Sequence, residues 1–335
     1  MTSDATVTFE VDGGPSGPTP IEESLLSFDG RAGSLLGVLA RPAAPAQCRP
    51  VAVVIVVGGP QTRVGSHRQF VQLARRLAAA GYPCLRFDYT GMGDSPGPKP
   101  DFEAAGADVS GACDTLRAAA PGCRSIALWG LCDGATAAAF QAAQDERIAA
   151  VIAANPWARS DGTRSATMVR QHYGSRLRSP AFWKKLLRGR VDVRTGVREF
   201  ARHLWRARRA ATAGAAGGRG GTGGAGSAGG AGGAGGRNGA DSAGGGGRGA
   251  IFRDRSADLP ARLADALSRI APRLHLQLSG NDLTAAEFEL AMKNAGADAR
   301  IRGSVFRLPR ADHTFSEQAA WDAVIGDTIA VLERL

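Results

Sequence analysis

Apolar residues in this chain fall into two alternating patterns. Val51-Ala52-Val53-Val54-Ile55-Val56-Val57 is a continuous, mostly β-branched run, the pattern of a parallel strand buried on both faces. Similar runs at residues 83–89, 125–129 and 148–154, then around Leu274 and Val305, predict further strands. Between them, helical periodicity predicts helices over residues 67–80 (stopped by Gly81), 102–120, 136–144 and 285–294, and a terminal helix over 317–335. Residues 22–39 read as a leading antiparallel pair turning at Asp29-Gly30. Strand and helix in alternation predict an α/β chain with a doubly wound, mostly parallel sheet.

Two segments interrupt this rhythm. Residues 157–210 carry 15 Lys and Arg against 3 Asp and Glu, a local excess of 12 positive charges in a chain whose net charge is +10. The basic character therefore belongs to this insertion, where Trp157, Phe182, Trp183, Phe200 and Trp205 interleave with the charges. Residues 213–249 contain 20 glycines in 37 positions and almost no large apolar side chain. Such a stretch cannot bury enough surface to offset the entropy of ordering and is expected to be a disordered loop. It is no phosphate cradle, since no strand precedes it and no G-K-[ST] follows. The resulting division is a flexible N-terminal tail (1–20), a first part of the core (21–156), the basic insertion (157–210), the glycine-rich loop (211–250) and a second part of the core (251–335).

Chemistry concentrates after the third predicted core strand. Gly130-Leu131-Cys132-Asp133-Gly134 has the form of a nucleophile elbow, in which small neighbours allow a sharp strand-to-helix turn and the backbone N–H of Asp133 faces a substrate oxygen. A plain alternative is a chance motif with Cys132 as a small buried hydrophobe. An elbow of this kind requires an acid and then a histidine further along. Asp282 follows the strand at Leu274, and His313 follows the strand at Val305. In those places His313 would take the thiol proton and Asp282 would orient the imidazole. His275 lies inside a strand pattern, His172 and His203 lie in the arginine-rich insertion, and Asp312 is adjacent to His313, which places its side chain elsewhere. Gly58-Gly59-Pro60-Gln61, after Val57, is the candidate oxyanion turn. Pro60 has no N–H, so Gln61 or Gly59 would join Asp133 as donor. His67 could line the pocket beyond that turn, and Asp88 with Asp94 reads as loop-stabilising rather than as a metal pair.

Composition narrows the classes. Five cysteines at scattered positions, Cys48, Cys84, Cys113, Cys123 and Cys132, form neither a disulfide framework nor a metal-binding spacing. The first twenty residues lack a basic start followed by an apolar stretch, and no apolar run reaches the ~18 residues of a membrane span. A cytoplasmic enzyme without metal or cofactor is expected, and no motif supports nucleic-acid binding.

The blocks Val56-Val57-Gly58-Gly59-Pro60-Gln61, Arg63-Val64-Gly65-Ser66-His67-Arg68-Gln69-Phe70, 85–95 (LRFDYTGMGDS) and Trp129-Gly130-Leu131-Cys132-Asp133-Gly134 resemble the α/β-hydrolases. More narrowly, they are similar to the type 1 hydrolases associated with the exosortase A system, which accompany bacterial exopolysaccharide loci. The resemblance covers residues 21–335; Gly58 stands where related enzymes often have histidine. It implies an α/β-hydrolase fold, a helical cap at 157–210, and an esterase- or thioesterase-like reaction through an acyl-enzyme. Acyl transfer to a glycan or carrier, and a non-catalytic scaffold, are the rival readings. Cysteine favours thioesters or activated esters, because thiolate both attacks and leaves well. Trp157, Arg176 and Arg178 of the cap are candidate contacts to an acyl substrate, either a small molecule or carrier-bound. The cap's charge would serve as a solvated face, as a funnel for an anionic substrate, or for peripheral contact with anionic lipid.

Overall fold

The computed structural model describes residues 6–12, 17–99, 101–158, 258–297, 299, 301 and 304–335. Among these residues nine strands form one sheet in the order β1-β2-β3-β5-β4-β6-β7-β8-β9. They are β1 (Thr6–Asp12), β2 (Pro18–Gly30), β3 (Gly33–Pro42), β4 (Val51–Val56), β5 (Cys84–Phe87), β6 (Ser125–Leu131), β7 (Ile148–Ala154), β8 (Leu274–Ser279) and β9 (Ser304–Leu308). The first three are antiparallel to their neighbours, and the six from β5 across to β9 run parallel. Among the described residues six helices flank the sheet: α1 (Gln69–Ala79), α2 (Gly106–Ala119), α3 (Asp133–Ala142), α4 (Leu259–Arg269), α5 (Leu283–Asn294) and α6 (Gln318–Leu332).

Every residue of β4 is buried, as its uninterrupted apolar run requires of a strand covered on both faces. At roughly 1.5–3 kcal/mol for each large side chain buried, such strands anchor the core. Several polar side chains reach across the same layer. Trp129 on β6 donates to Gln277 Oε1 on β8 at 3.1 Å, and Gln277 Nε2 donates to Asp327 (2.8 Å) and Thr328 (3.0 Å) of α6. His275 meets Asp327 at 2.6 Å, a sheet-face role that leaves it far from the elbow chemistry.

Three details depart from the sequence reading. The tail expected to be flexible contains β1, whose alternating Val7, Phe9 and Val11 pair with β2, while Arg75 of α1 stacks over the Phe9 ring at 4.4 Å. The β2–β3 hairpin turns two residues later than expected, at Arg31-Ala32, with Gly30 paired to Gly33. Helix α4 was not anticipated, although Leu263, Ala264 and Leu267 form its buried stripe. The cap at 157–210 (apart from Trp157 and Ala158), the glycine-rich loop, Arg176, Arg178, His172 and His203 lie outside the described residues. Among the described residues no helix is long and apolar enough to cross a membrane.

Candidate active site

The candidate residues gather at the carboxyl ends of adjacent parallel strands. Cys132 follows β6, Asp282 lies just beyond β8, and His313 lies just beyond β9. Cys132 has φ 60° and ψ −126°, a conformation that costs a non-glycine residue of the order of 1–3 kcal/mol and that places its side chain at the tip of the turn. The flanking glycines are steric necessities. A Cβ on Gly130 would lie 2.6 Å from Gly134 O, and one on Gly134 would strike Val56 O and come within 2.9 Å of Gly58 N. Gly58 is equally confined, since a Cβ there would overlap Leu131 O and stand 2.5 Å from Asp133 Oδ1. That crowding is the physical reason no histidine fits at this position. Trp157 N donates to Cys132 O at 3.1 Å, and Trp157 O accepts from Thr136 Oγ1 at 2.7 Å, so Trp157 begins its segment tied to the elbow.

Asp282 is buried and caps α5, accepting from Thr284 N (3.1 Å) and Ala285 N (3.0 Å). Its Oδ2 lies 2.9 Å from His313 Nδ1. With Nδ1 on Asp282, Nε2 is the nitrogen left for the Cys132 side chain, which lies near enough to favour the charged imidazole. Burial works against a charged His313, but the Asp282 and Cys132 contacts outweigh it and raise the imidazole from its ordinary value to about 10. Asp312 turns away, accepting from Ser316 N at 2.9 Å and from Ser316 Oγ.

The oxyanion turn is arranged differently from the sequence expectation. Gly59 N–H donates to the Asp133 carboxylate, which also receives the N–H of Gly134 and its own N–H. Burial raises the Asp133 carboxyl despite these donors. Gln61 N–H makes a long bond of 3.4 Å to Gly58 O, so it is the least committed of the expected donors. The Gln61 side chain accepts from Ser66 N and Gln69 Nε2, and Arg63 binds buried Asp88 through both its backbone and its guanidinium. Asp88 and Asp94 therefore hold this loop. His67 is exposed, with φ 51°, and makes no described contact with Cys132. Among the described residues no group of three His, Cys, Asp or Glu is placed to hold a metal ion.

One residue bonded to the His313 backbone escaped the sequence reading. Asn155, next after β7, is fully buried and donates from Nδ2 to His313 O at 2.9 Å. A polar residue ending an apolar parallel strand was the available signal, since functional groups collect at that edge.

The sequence matches the model of the alpha/beta hydrolase family over residues 53–327. Solved structures of similar fold include a Pyrococcus furiosus esterase (14% identity, TM-score 0.55, covering 94% of this chain and 93% of that one). A dienelactone hydrolase from Anabaena variabilis gives 15% identity and TM-score 0.53, covering 94% and 98%. A Rhizomucor miehei esterase gives 16% and 0.54, covering 94% and 83%. Comparison with curated proteins finds no match. With its elbow, its strand order and a family match over most of its length, the chain belongs to the alpha/beta hydrolase family.

Proposed function

We propose that the protein cleaves ester or thioester bonds through a covalent acyl-enzyme on Cys132, with His313 as base and Asp282 as its orienting acid. The observation that carries this reading is the single imidazole that bonds Asp282 at 2.9 Å and whose charged form both Asp282 and the Cys132 sulfur favour. A raised His313 takes the thiol proton readily and leaves a thiolate beside an imidazolium. The thiolate attacks the substrate carbonyl carbon, and backbone N–H groups of the 58–61 turn and the elbow stabilise the oxyanion. The tetrahedral adduct expels alcohol or thiol, which takes its proton from His313. Water, deprotonated by His313, then attacks the acyl-enzyme, and the Cys132 sulfur leaves. Thioesters and activated esters suit this sequence best, because the attacking sulfur is itself a good leaving group.

The motif blocks at 56–61, 63–70 and 129–134 support placing the enzyme with exosortase-associated hydrolases, and hence with exopolysaccharide metabolism. Five free cysteines, the reactive Cys132 among them, suit the reducing cytoplasm. The basic 157–210 segment supports an anionic, carrier-bound acyl substrate.

Chloroacetamide labelling followed by peptide mass spectrometry tests the nucleophile directly. Modification should fall on Cys132, Cys132→Ala should abolish hydrolysis of p-nitrophenyl acetate and acyl-CoA, and Cys132→Ser should keep weak esterase activity. Full activity in Cys132→Ala overturns the reading. Adding an alcohol or amine acceptor separates hydrolysis from acyl transfer.

A further inference from the structure

Strand β7 supplies none of the three triad groups, yet its end grips the base. Asn155 stands in the left-handed region (φ 42°) with none of its surface exposed. All its side-chain polar atoms are used. Nδ2 donates to Ser279 Oγ at 2.9 Å and to His313 O at 2.9 Å, and Oδ1 accepts from Ser279 N at 2.8 Å. Ser279, at the end of β8, then donates from Oγ to Asp312 O at 2.7 Å. Two successive carbonyls, those of Asp312 and His313, are thus held by two side chains from neighbouring strands. The chain before them is fixed by backbone bonds, Gly280 N to Leu308 O at 2.9 Å and Asn281 N to Ala311 O at 3.0 Å. These do not reach His313 itself.

We infer that Asn155 and Ser279 are positioning residues that set the height and tilt of the His313 imidazole between Asp282 and Cys132. The inference rests on the triad reading and adds a layer beneath it. The geometry favours this over simple satisfaction of buried backbone. Ser279 Oγ accepts from Asn155 while donating to Asp312 O, so the relay has one direction and ends on the peptide of the base. The left-handed backbone of Asn155 is a conformation in which asparagine is enriched among non-glycine residues. Its amide then meets three partners at once.

The test is the pH profile of Cys132 alkylation by iodoacetamide, read by mass spectrometry of the Cys132 peptide. Wild type is compared with His313→Ala, Ser279→Ala, Ser279→Thr and Asn155→Asp, with thermal melts and p-nitrophenyl acetate kinetics alongside. His313→Ala should shift the profile to that of an unassisted thiol. Ser279→Ala and Asn155→Asp should shift it the same way, slow alkylation about tenfold near neutral pH and lower kcat at unchanged KM, because small misplacements of a reacting group are costly. Ser279→Thr keeps the hydroxyl and should track wild type. If Asn155→Asp fails to fold, Ser279→Ala, which loses one hydroxyl, decides alone. Wild-type profiles in folded Ser279→Ala and Asn155→Asp, with a shifted His313→Ala, overturn the positioning role and leave the triad standing. A wild-type profile in His313→Ala overturns the triad and the positioning role together.

Discussion

Replacing Asp282 by Asn removes a negative charge from beside His313 while keeping an oxygen that can cap α5. In the native protein Asp282 is the larger of two influences that raise His313, from 6.5 to about 10 against the opposing effect of burial. Fully shielded from water, that rise would correspond to roughly 5 kcal/mol of stabilisation. The His313 side chain is 34% exposed, and screening reduces the usable figure to about 2 kcal/mol. The folded-state value lies above the unfolded one. This stabilisation is therefore fully present below about pH 6.5 and is lost as pH rises through about 10. Urea unfolding of wild type and Asp282→Asn should show a gap near pH 6 that is the larger share of this figure, between about 1 and 2 kcal/mol beyond any fixed capping cost, closing by about pH 10.5. A background of Cys132→Ala keeps thiol titration out of the measurement and should preserve the sign of the gap. NMR titration of His313 should fall further in Asp282→Asn than in Cys132→Ala. A stability gap independent of pH, or a wild-type His313 titrating near 6.5, refutes the reasoning.

Other expectations follow from the same geometry. Gly134→Ala forces a Cβ against Val56 O and Gly58 N, backbone atoms that cannot rotate aside, so a loss of about 3 kcal/mol or more should appear in thermal melts. Asp133→Ala frees the N–H groups of Gly59 and Asp133 for an oxyanion, and kcat on p-nitrophenyl acetate should rise; a fall would mean that the carboxylate's hold on Gly59 is what the reaction needs. Arg176→Gln with Arg178→Gln should raise KM for acyl-CoA and leave a neutral ester unchanged, with the acyl-CoA advantage shrinking as salt rises. Equal salt dependence for both substrates would reduce the basic segment to a solvated face.

The parallel core, the elbow and the order Cys132, Asp282, His313 were legible in the sequence because each is a local pattern. Buried parallel strands read as apolar runs, a strained turn demands glycines around it, and Asp282 and His313 follow strands that name themselves by composition. The antiparallel β1 was missed because its short alternation lies among prolines and glycines, and pairing with β2 gives it its place. Helix α4 carries no signal of its own in the sequence analysis, although its buried stripe is plain once the sheet is there to cover it. What no local pattern could decide is which donor meets which acceptor across the sheet. The sequence nominated Gly59, Gln61 and Asp133 as oxyanion donors, but only the packing of the 58–61 turn onto the elbow commits Gly59 N–H to the Asp133 carboxylate. Likewise Asn155 is one asparagine after one apolar run until β7 and β8 lie side by side. Residues 155, 279 and 313 are then brought within hydrogen-bond reach across more than a hundred positions of chain. Hydrophobic periodicity acts through neighbours in sequence, whereas hydrogen-bond partnership depends on strand order and register, which only the folded sheet supplies.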